Sequence, residues 1–376
     1  MKSKPAYRPV LLNAEPFGFG PAAAIAQFAS LLAAHGVPIG YIGEGHSHDL
    51  QRQLPYQNRY DVSGLAAAAR REVWAEAAQA YPLLLTAMDF QAAAAARAAG
   101  MQVVIYDALA WYWPKLPAAV QSADLYMAQD FYGVRARLAS ELAPGVPAEP
   151  VPPVVTPKQR RADSNRILLN LGGLQNPGWK LADAVGYARL VITAVRAALP
   201  GQTITISTSQ SIAAQLNDPA VKTYTNQQMQ RLFAGTKLAI MTPGLGNIYD
   251  AAAYNIPTLW LPPANDSQGR QLQLLVQHNT CDAAITWDDI GLAVDMQLPQ
   301  SEVLGAIAAN VAQCAARPHY AIRLQGLVAG KLAGLSQQNS SKGRQLLQQF
   351  GSGGAAVVAD YVMALSRVPA KEHSHV

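Results

Sequence analysis

Nine residues, Thr242-Pro-Gly-Leu-Gly-Asn-Ile-Tyr-Asp250, combine the types needed to hold a phosphate and a pair of hydroxyls. Leu238 to Met241 before them read as a buried strand, Ile248 to Tyr254 as a helix, and Pro257 to Leu261 as the next strand. A glycine-containing turn between strand and helix leaves backbone N–H groups free at the helix start. Those groups and the helix dipole attract an anion. Gly244 and Gly246 let the backbone come close to a ligand. Asp250, one turn into the helix, suits the neighbouring hydroxyls of a ribose, because an ionised carboxylate only accepts hydrogen bonds.

Other residues add to this chemistry. Gly172-Gly-Leu-Gln-Asn-Pro-Gly178 follows a second apolar run, and Gly172 and Gly173 permit close backbone approach to a diphosphate or sugar. The stretch lacks the third glycine and the strand-end acid of a dinucleotide fingerprint. Asp266, Gln268 and Arg270 follow Pro262 in what reads as a loop. Carboxylates and amides pair with sugar hydroxyls, and Arg270 suits a ligand carboxylate through a two-pronged pair. Glu15, Asp89 and Asp107 each follow an apolar run, which puts them at strand ends where α/β sheets bind ligands. Burial beside Phe17, Phe19, Trp111 and Trp113 would raise a carboxylate into the range of a general base. His46 and His48, two apart, point in different directions and read as loop histidines. No Asp-x-Asp metal pattern is present where a metal-dependent transfer would want one, so no obligatory ion or other cofactor is expected.

The elements that must position these residues alternate. In the first half Val10 to Asn13, Val37 to Ile42, Leu83 to Ala87, Val103 to Tyr106 and Leu125 to Ala128 read as strands. An Ala-rich helix runs from about Pro21 to Ala34, with Pro at its first turn and Gly36 beyond its end, and another covers Gln91 to Ala99. Residues 144–157 hold six prolines and read as a crossing between domains. A fresh alternation begins at Arg166, with strands at Ile167 to Leu171, Thr203 to Ser207, Val221 to Thr223, Leu238 to Met241 and Thr258 to Leu261. The expected fold class is α/β, two doubly wound Rossmann-like domains with parallel sheets covered by helices. The boundaries are 1–150, a linker 151–165, a second domain 166–350, and a final segment 351–376 with an apolar-periodic run after Gly351-Ser-Gly-Gly354.

A length of 376 residues suits two domains, and a 50% apolar composition provides for their cores. The net charge of +5 is mild and not gathered in a dense basic cluster, which argues against nucleic acid and fits a small anionic substrate. Cys281 and Cys314 are too far apart for a zinc motif and too few for a disulfide framework, so a reducing, cytoplasmic setting is expected. No run approaches the ~20 apolar residues of a membrane span, and the basic Met1 to Pro9 leads into a strand rather than a signal peptide. The end, with His373 and His375, reads as a frayed tail. The oligomeric state is open, a homodimer included.

The segment from Thr242 onward resembles the donor-binding region of GT-B glycosyltransferases. Plant secondary-metabolite enzymes of that family carry His-Cys-Gly-Trp-Asn-Ser-x-x-Glu, then Gly-Val-Pro, a second Pro and an acid–Gln pair. Laid on this chain without a gap, Gly244 keeps a motif glycine, Asn247 takes the serine place and Asp250 that of the ribose-binding Glu. Pro257 and Pro262 match both prolines, and Asp266 matches the acid. Thr242 replaces the phosphate-binding His, leaving a hydroxyl for that work, and Ser267 stands where Gln belongs, with Gln268 one residue late. The resemblance implies a GT-B architecture whose two domains face a cleft, an N-terminal domain for the acceptor and a C-terminal domain for a UDP-sugar. It implies a last helix that crosses back to the first domain, and an inverting, metal-independent displacement. It also places Gln227 and Gln228 in the segment that recognises the base.

Two first-half motifs are similar to cytosylglucuronate synthases: Glu15 to Ala24, and Tyr106 to Trp113 followed by Asp124 to Gln129. That resemblance implies UDP-glucuronate as donor and N1 of cytosine as acceptor. It makes Phe17, Gly18, Phe19, Trp111 and Trp113 a planar slot for the small polar or aromatic acceptor. Nucleotide-sugar epimerases or hydrolases on the same scaffold, and a non-catalytic nucleotide-sugar-binding protein, are the alternatives.

Overall fold

The structure, a computed structural model, describes residues 6–16, 20–161, 165–174 and 178–368, with His46, Asp49 and Leu50 described by their backbone alone. The chain divides into two compact units, Met1–Val154 with Ser352–Val376, and Val155–Gly351.

The first unit is built on seven parallel strands: β1 Val10–Ala14, β2 Ile39–Gly43, β3 Arg59–Asp61, β4 Leu83–Ala87, β5 Gln102–Asp107, β6 Leu125–Gln129 and β7 Ala148–Val151. Their order is β3-β2-β1-β4-β5-β6-β7. The near-continuous apolar runs of β1, β4 and β5 are what a parallel sheet covered on both faces requires. The helices Gly20–Ala34 and Gly354–Ser366 pack together over one face, joining Phe28, Leu32, Val358 and Val362 to Leu12, Tyr41 and Leu85 in one core. The final helix is tied to the start of the chain, since Arg8 donates its backbone N–H to the Ser366 carbonyl.

The second unit has six parallel strands: β8 Arg166–Asn170, β9 Ile204–Ser207, β10 Val221–Lys222, β11 Thr236–Met241, β12 Thr258–Trp260 and β13 Ala283–Ala284. Their order is β10-β9-β8-β11-β12-β13. The helices Leu181–Ala198, Gln300–Ala316 and Pro318–Leu335 pack on one another and carry Tyr187, Ile307 and Val328 into the core with Leu169 and Ile240. Among the described residues no helix is long and apolar enough to cross a membrane. Both cysteines are buried and free.

The structure corrects two expectations. Part of the proline-rich stretch is a strand: Ala148–Val151 pairs with β6 at the edge of the first sheet, the place where Pro150 costs the ladder least. The crossing to the second unit falls between Val154 and Val155. Asp266, Gln268 and Arg270 are not in a loop but in the first turns of a helix, Asp266–Gln277, whose start is capped by Asn265 accepting from Gln268 N at 2.8 Å.

Candidate functional site

In each sheet the strand order reverses once, between β1 and β4 in the first unit and between β8 and β11 in the second. Loops leaving two such neighbours run to opposite faces and leave a crevice at the strand carboxyl ends, the usual ligand position in this topology. In the second unit those loops begin at Leu171 and Thr242. The helix Leu245–Tyr254 starts three residues earlier than its apolar pattern suggested, directly after Gly244. Among the described residues no side chain caps this end, and the N–H groups of Leu245, Gly246 and Asn247 have no acceptor within the helix. Gly244 is partly buried and Gly246 exposed, with nothing within 4 Å of a Cβ at Gly246.

The two loops are bolted side by side. Thr242 is fully buried, and its hydroxyl donates to the Gly172 carbonyl at 2.5 Å. Asn247 donates to the Thr242 carbonyl at 2.9 Å and accepts from Asn170 at 2.9 Å. The hydroxyl expected to bind phosphate is thus an internal strut, and Asn247 joins it; the anion-seeking groups left are backbone amides. Gly173 has a left-handed φ of 77°, and a Cβ there would lie 3.2 Å from Gln268 Nε2. That nitrogen donates to the Gly173 carbonyl at 3.3 Å, while the Gln268 oxygen accepts from Ala264 N at 3.0 Å. Gln268 also lies 4.0 Å from a Cβ built on Gly244, so glycine loop, helix start and Gln268 meet at one point. Asp266, buried beside Gln268, accepts from Gln300 at 3.4 Å.

Asp250 projects from the second turn of the same helix and is partly buried. Desolvation pushes its carboxyl up to about 6, against the pull of a hydrogen bond from Gln230 and the charge of Lys158. Two other residues are engaged elsewhere, and a third is exposed. Gln228 closes a capping box with Thr225 at the start of the helix Asn226–Ala234, which occupies its side chain. Gln227 is exposed in that first turn. Arg270 donates to the Met296 carbonyl at 2.9 Å and to the Gln297 carbonyl at 3.4 Å, so it braces a loop instead of waiting for a ligand carboxylate.

In the first unit the reversal point brings together Glu15 after β1 and Asp89 after β4; Glu15 N donates to the Ala87 carbonyl at 2.9 Å. Burial pushes Glu15 up to about 7, and the like charges of Asp89 and Glu44 add to it. Asp89 is itself the cap of the helix Phe90–Ala98, accepting from Ala92 N at 2.8 Å, and burial raises its carboxyl as well. Asp107 is not available as a base. It is fully buried and accepts from Leu109 N at 2.7 Å, Tyr126 at 2.8 Å and Trp113 Nε1 at 2.9 Å. Its work is to anchor the loop that carries the aromatic residues.

That loop sets Trp113 edge-on to Phe90 at 5.7 Å and Trp111 against Phe131 at 5.5 Å. Trp113 spends its indole N–H on Asp107, so only its ring is free to meet a ligand, whereas the buried indole nitrogen of Trp111 has no partner among the described residues. Phe17, Gly18 and Phe19 lie outside the described residues. Sequence reasoning missed Phe90, Asn170, Gln230 and Lys158. Phe90 was signalled by its place beside Asp89, but the other three act through partners distant in sequence.

No protein-family model and no curated protein matches the chain. Solved structures do. MurG of Acinetobacter baumannii is 14% identical, with 95% of this chain covering 99% of that one at a TM-score of 0.54. The glycosyltransferase SnogD from Streptomyces nogalater is 16% identical, over 96% of this chain and 100% of that one, at 0.53. UGT2 of Phytolacca americana, solved with UDP-2-fluoro-glucose and pterostilbene, is 14% identical, over 96% and 100%, at 0.51. These identities bear on the fold alone: two α/β units with parallel sheets, over nearly the whole chain, in the GT-B architecture.

Proposed function

We propose that the protein is an inverting glycosyltransferase whose second unit holds a UDP-sugar and whose first unit supplies the general base. The observation that carries this reading is the convergence, at the reversal point of the second sheet, of an uncapped helix start, the Gly172–Gly173 turn and Gln268, with Asp250 one turn along the same helix. Each part answers one piece of the donor. The amides of Leu245, Gly246 and Asn247 and the helix dipole face the diphosphate. Asp250 takes the ribose hydroxyls, and the Gln268 amide, bonded to Gly173 and Ala264, keeps one N–H beside Asp266 for those of the sugar. MurG, SnogD and UGT2 share the fold, and UGT2 was solved with UDP-2-fluoro-glucose and pterostilbene.

In the proposed reaction a nitrogen or hydroxyl of the acceptor attacks the anomeric carbon. Its bond to the diphosphate oxygen breaks, the electron pair leaves with UDP, and Glu15 takes the acceptor's proton. The helix start stabilises the departing diphosphate charge, which removes the need for an obligatory metal. Trp111 and Trp113 offer ring faces to a flat acceptor. The motif resemblance makes UDP-glucuronate and cytosine the first pair to test, although Arg270 supports a carboxylated sugar less than its sequence position suggested.

The test is release of UDP from a panel of UDP-sugars, with and without cytosine and other small aromatic acceptors, in the presence of EDTA. Acceptor-dependent UDP release with a new glycoside supports the reading. Free sugar or an epimer formed without acceptor would replace it with hydrolysis or epimerisation.

A further inference from the structure

Asp250 sits at the end of a directional relay. Gln230, from the helix Asn226–Ala234, donates through Nε2 to Asp250 Oδ1 at 3.4 Å. Its Oε1 accepts from Tyr254 OH at 2.9 Å and from the Lys158 ammonium. The Tyr254 hydroxyl also lies 3.0 Å from the Gln230 backbone carbonyl. The ammonium lies 5.4 Å from the centre of the Tyr254 ring, and that ring stacks on Phe233. Lys158 is itself fixed by its backbone N–H, which donates to the Ala253 carbonyl at 2.9 Å.

The amide has one workable orientation. An ammonium only donates hydrogen bonds and a carboxylate only accepts them, so Oε1 must face Lys158 and Nε2 must face Asp250. Turning the amide over would set its NH2 against the ammonium and its oxygen against the carboxylate. Gln230 therefore holds one oxygen of Asp250 from the side and leaves the other for a ligand.

We propose that Gln230, locked from behind by Lys158 and Tyr254, is a positioning residue that aims the Asp250 carboxylate and so makes the nucleotide site selective for a ribose with its 2′-hydroxyl. This rests on the donor site proposed above. Two hydroxyls reach the aimed carboxylate when the 2′ position is intact, and one when it is absent. A hydrogen bond to a charged group is worth about tenfold or more in affinity. A carboxylate free to turn discriminates less, because it can repack around the single hydroxyl.

Isothermal titration of the full chain with UDP and 2′-deoxy-UDP tests this, on the wild type and on Gln230→Glu, Gln230→Leu and Lys158→Met. The wild type is expected to prefer UDP by about tenfold or more. In Gln230→Glu, repulsion between two acids should cut UDP affinity by at least about tenfold while 2′-deoxy-UDP changes less, so that the preference shrinks. Gln230→Leu and Lys158→Met, the latter at an exposed residue, should shrink it in the same direction if Gln230→Glu folds poorly. Equal weakening of both nucleotides, or an unchanged preference in all three variants, overturns the positioning role. A wild type that binds UDP without preference overturns the selectivity alone. A wild type that binds neither nucleotide removes the donor site itself.

Discussion

Asp250 is held by an amide rather than by an ion pair, and its charge therefore weighs on the fold. Its folded pKa of about 6 lies above the usual value of 3.8. Between those values the folded state binds more protons than the unfolded one, so the stability that Asp250 contributes is lost as pH rises through that window. Asp250→Asn should melt higher than the wild type at pH 7, and the gap should close toward pH 4 and below, as read by calorimetry. The same variant should bind UDP more weakly at pH 7; a lower melting temperature there would contradict the burial argument. Glu15, raised to about 7, must be ionised to accept a proton. Turnover should accordingly rise with pH through about 7. Glu15→Gln should lower kcat by ~10²–10⁴-fold with UDP affinity intact. A variant that keeps its turnover would remove Glu15 as the base and return attention to Asp89.

At the scale of elements, the loop that follows β8 in the second sheet depends on one backbone choice, the left-handed φ of Gly173 beside Gln268. Gly173→Ala should cost about 1–2 kcal/mol of stability, measured by denaturant unfolding, and weaken UDP binding as Gln268 is displaced. An alanine variant with wild-type stability and affinity would show that the turn relaxes without loss. The long buried strands were readable from sequence because both faces of a parallel sheet need apolar residues, which leaves continuous runs such as Val10 to Asn13. β3, only Arg59–Asp61, and β7, with Pro150 in it, have no such run. The helix Asp266–Gln277 was obscured by Gly269, which reads as a breaker. A Cβ there would lie 2.4 Å from Met296, so close packing explains the glycine. Backbone features of the site were legible, Gly173 and the helix after Gly244 above all. The side-chain roles were less so, because Thr242 answers to Gly172 and Asn247 to Asn170, 70 and 77 positions away.

At the scale of the whole molecule, the same topological device appears twice with opposite chemistry. The first sheet's reversal point gathers carboxylates, Glu15 and Asp89, and burial, with the charge of Asp89 adding to it, prepares Glu15 to accept a proton. The second gathers backbone N–H groups and glycines, which suit a diphosphate. The nucleotide site of the second unit is tested by isothermal titration of UDP, UDP-glucuronate, UDP-glucose and a dTDP-sugar against the wild type and Asp250→Ala, with cytosine present and absent. Saturable binding of UDP and at least one UDP-sugar is expected, weakened about tenfold or more by Asp250→Ala. No binding of any of these nucleotides, or equal binding by the variant, would contradict it.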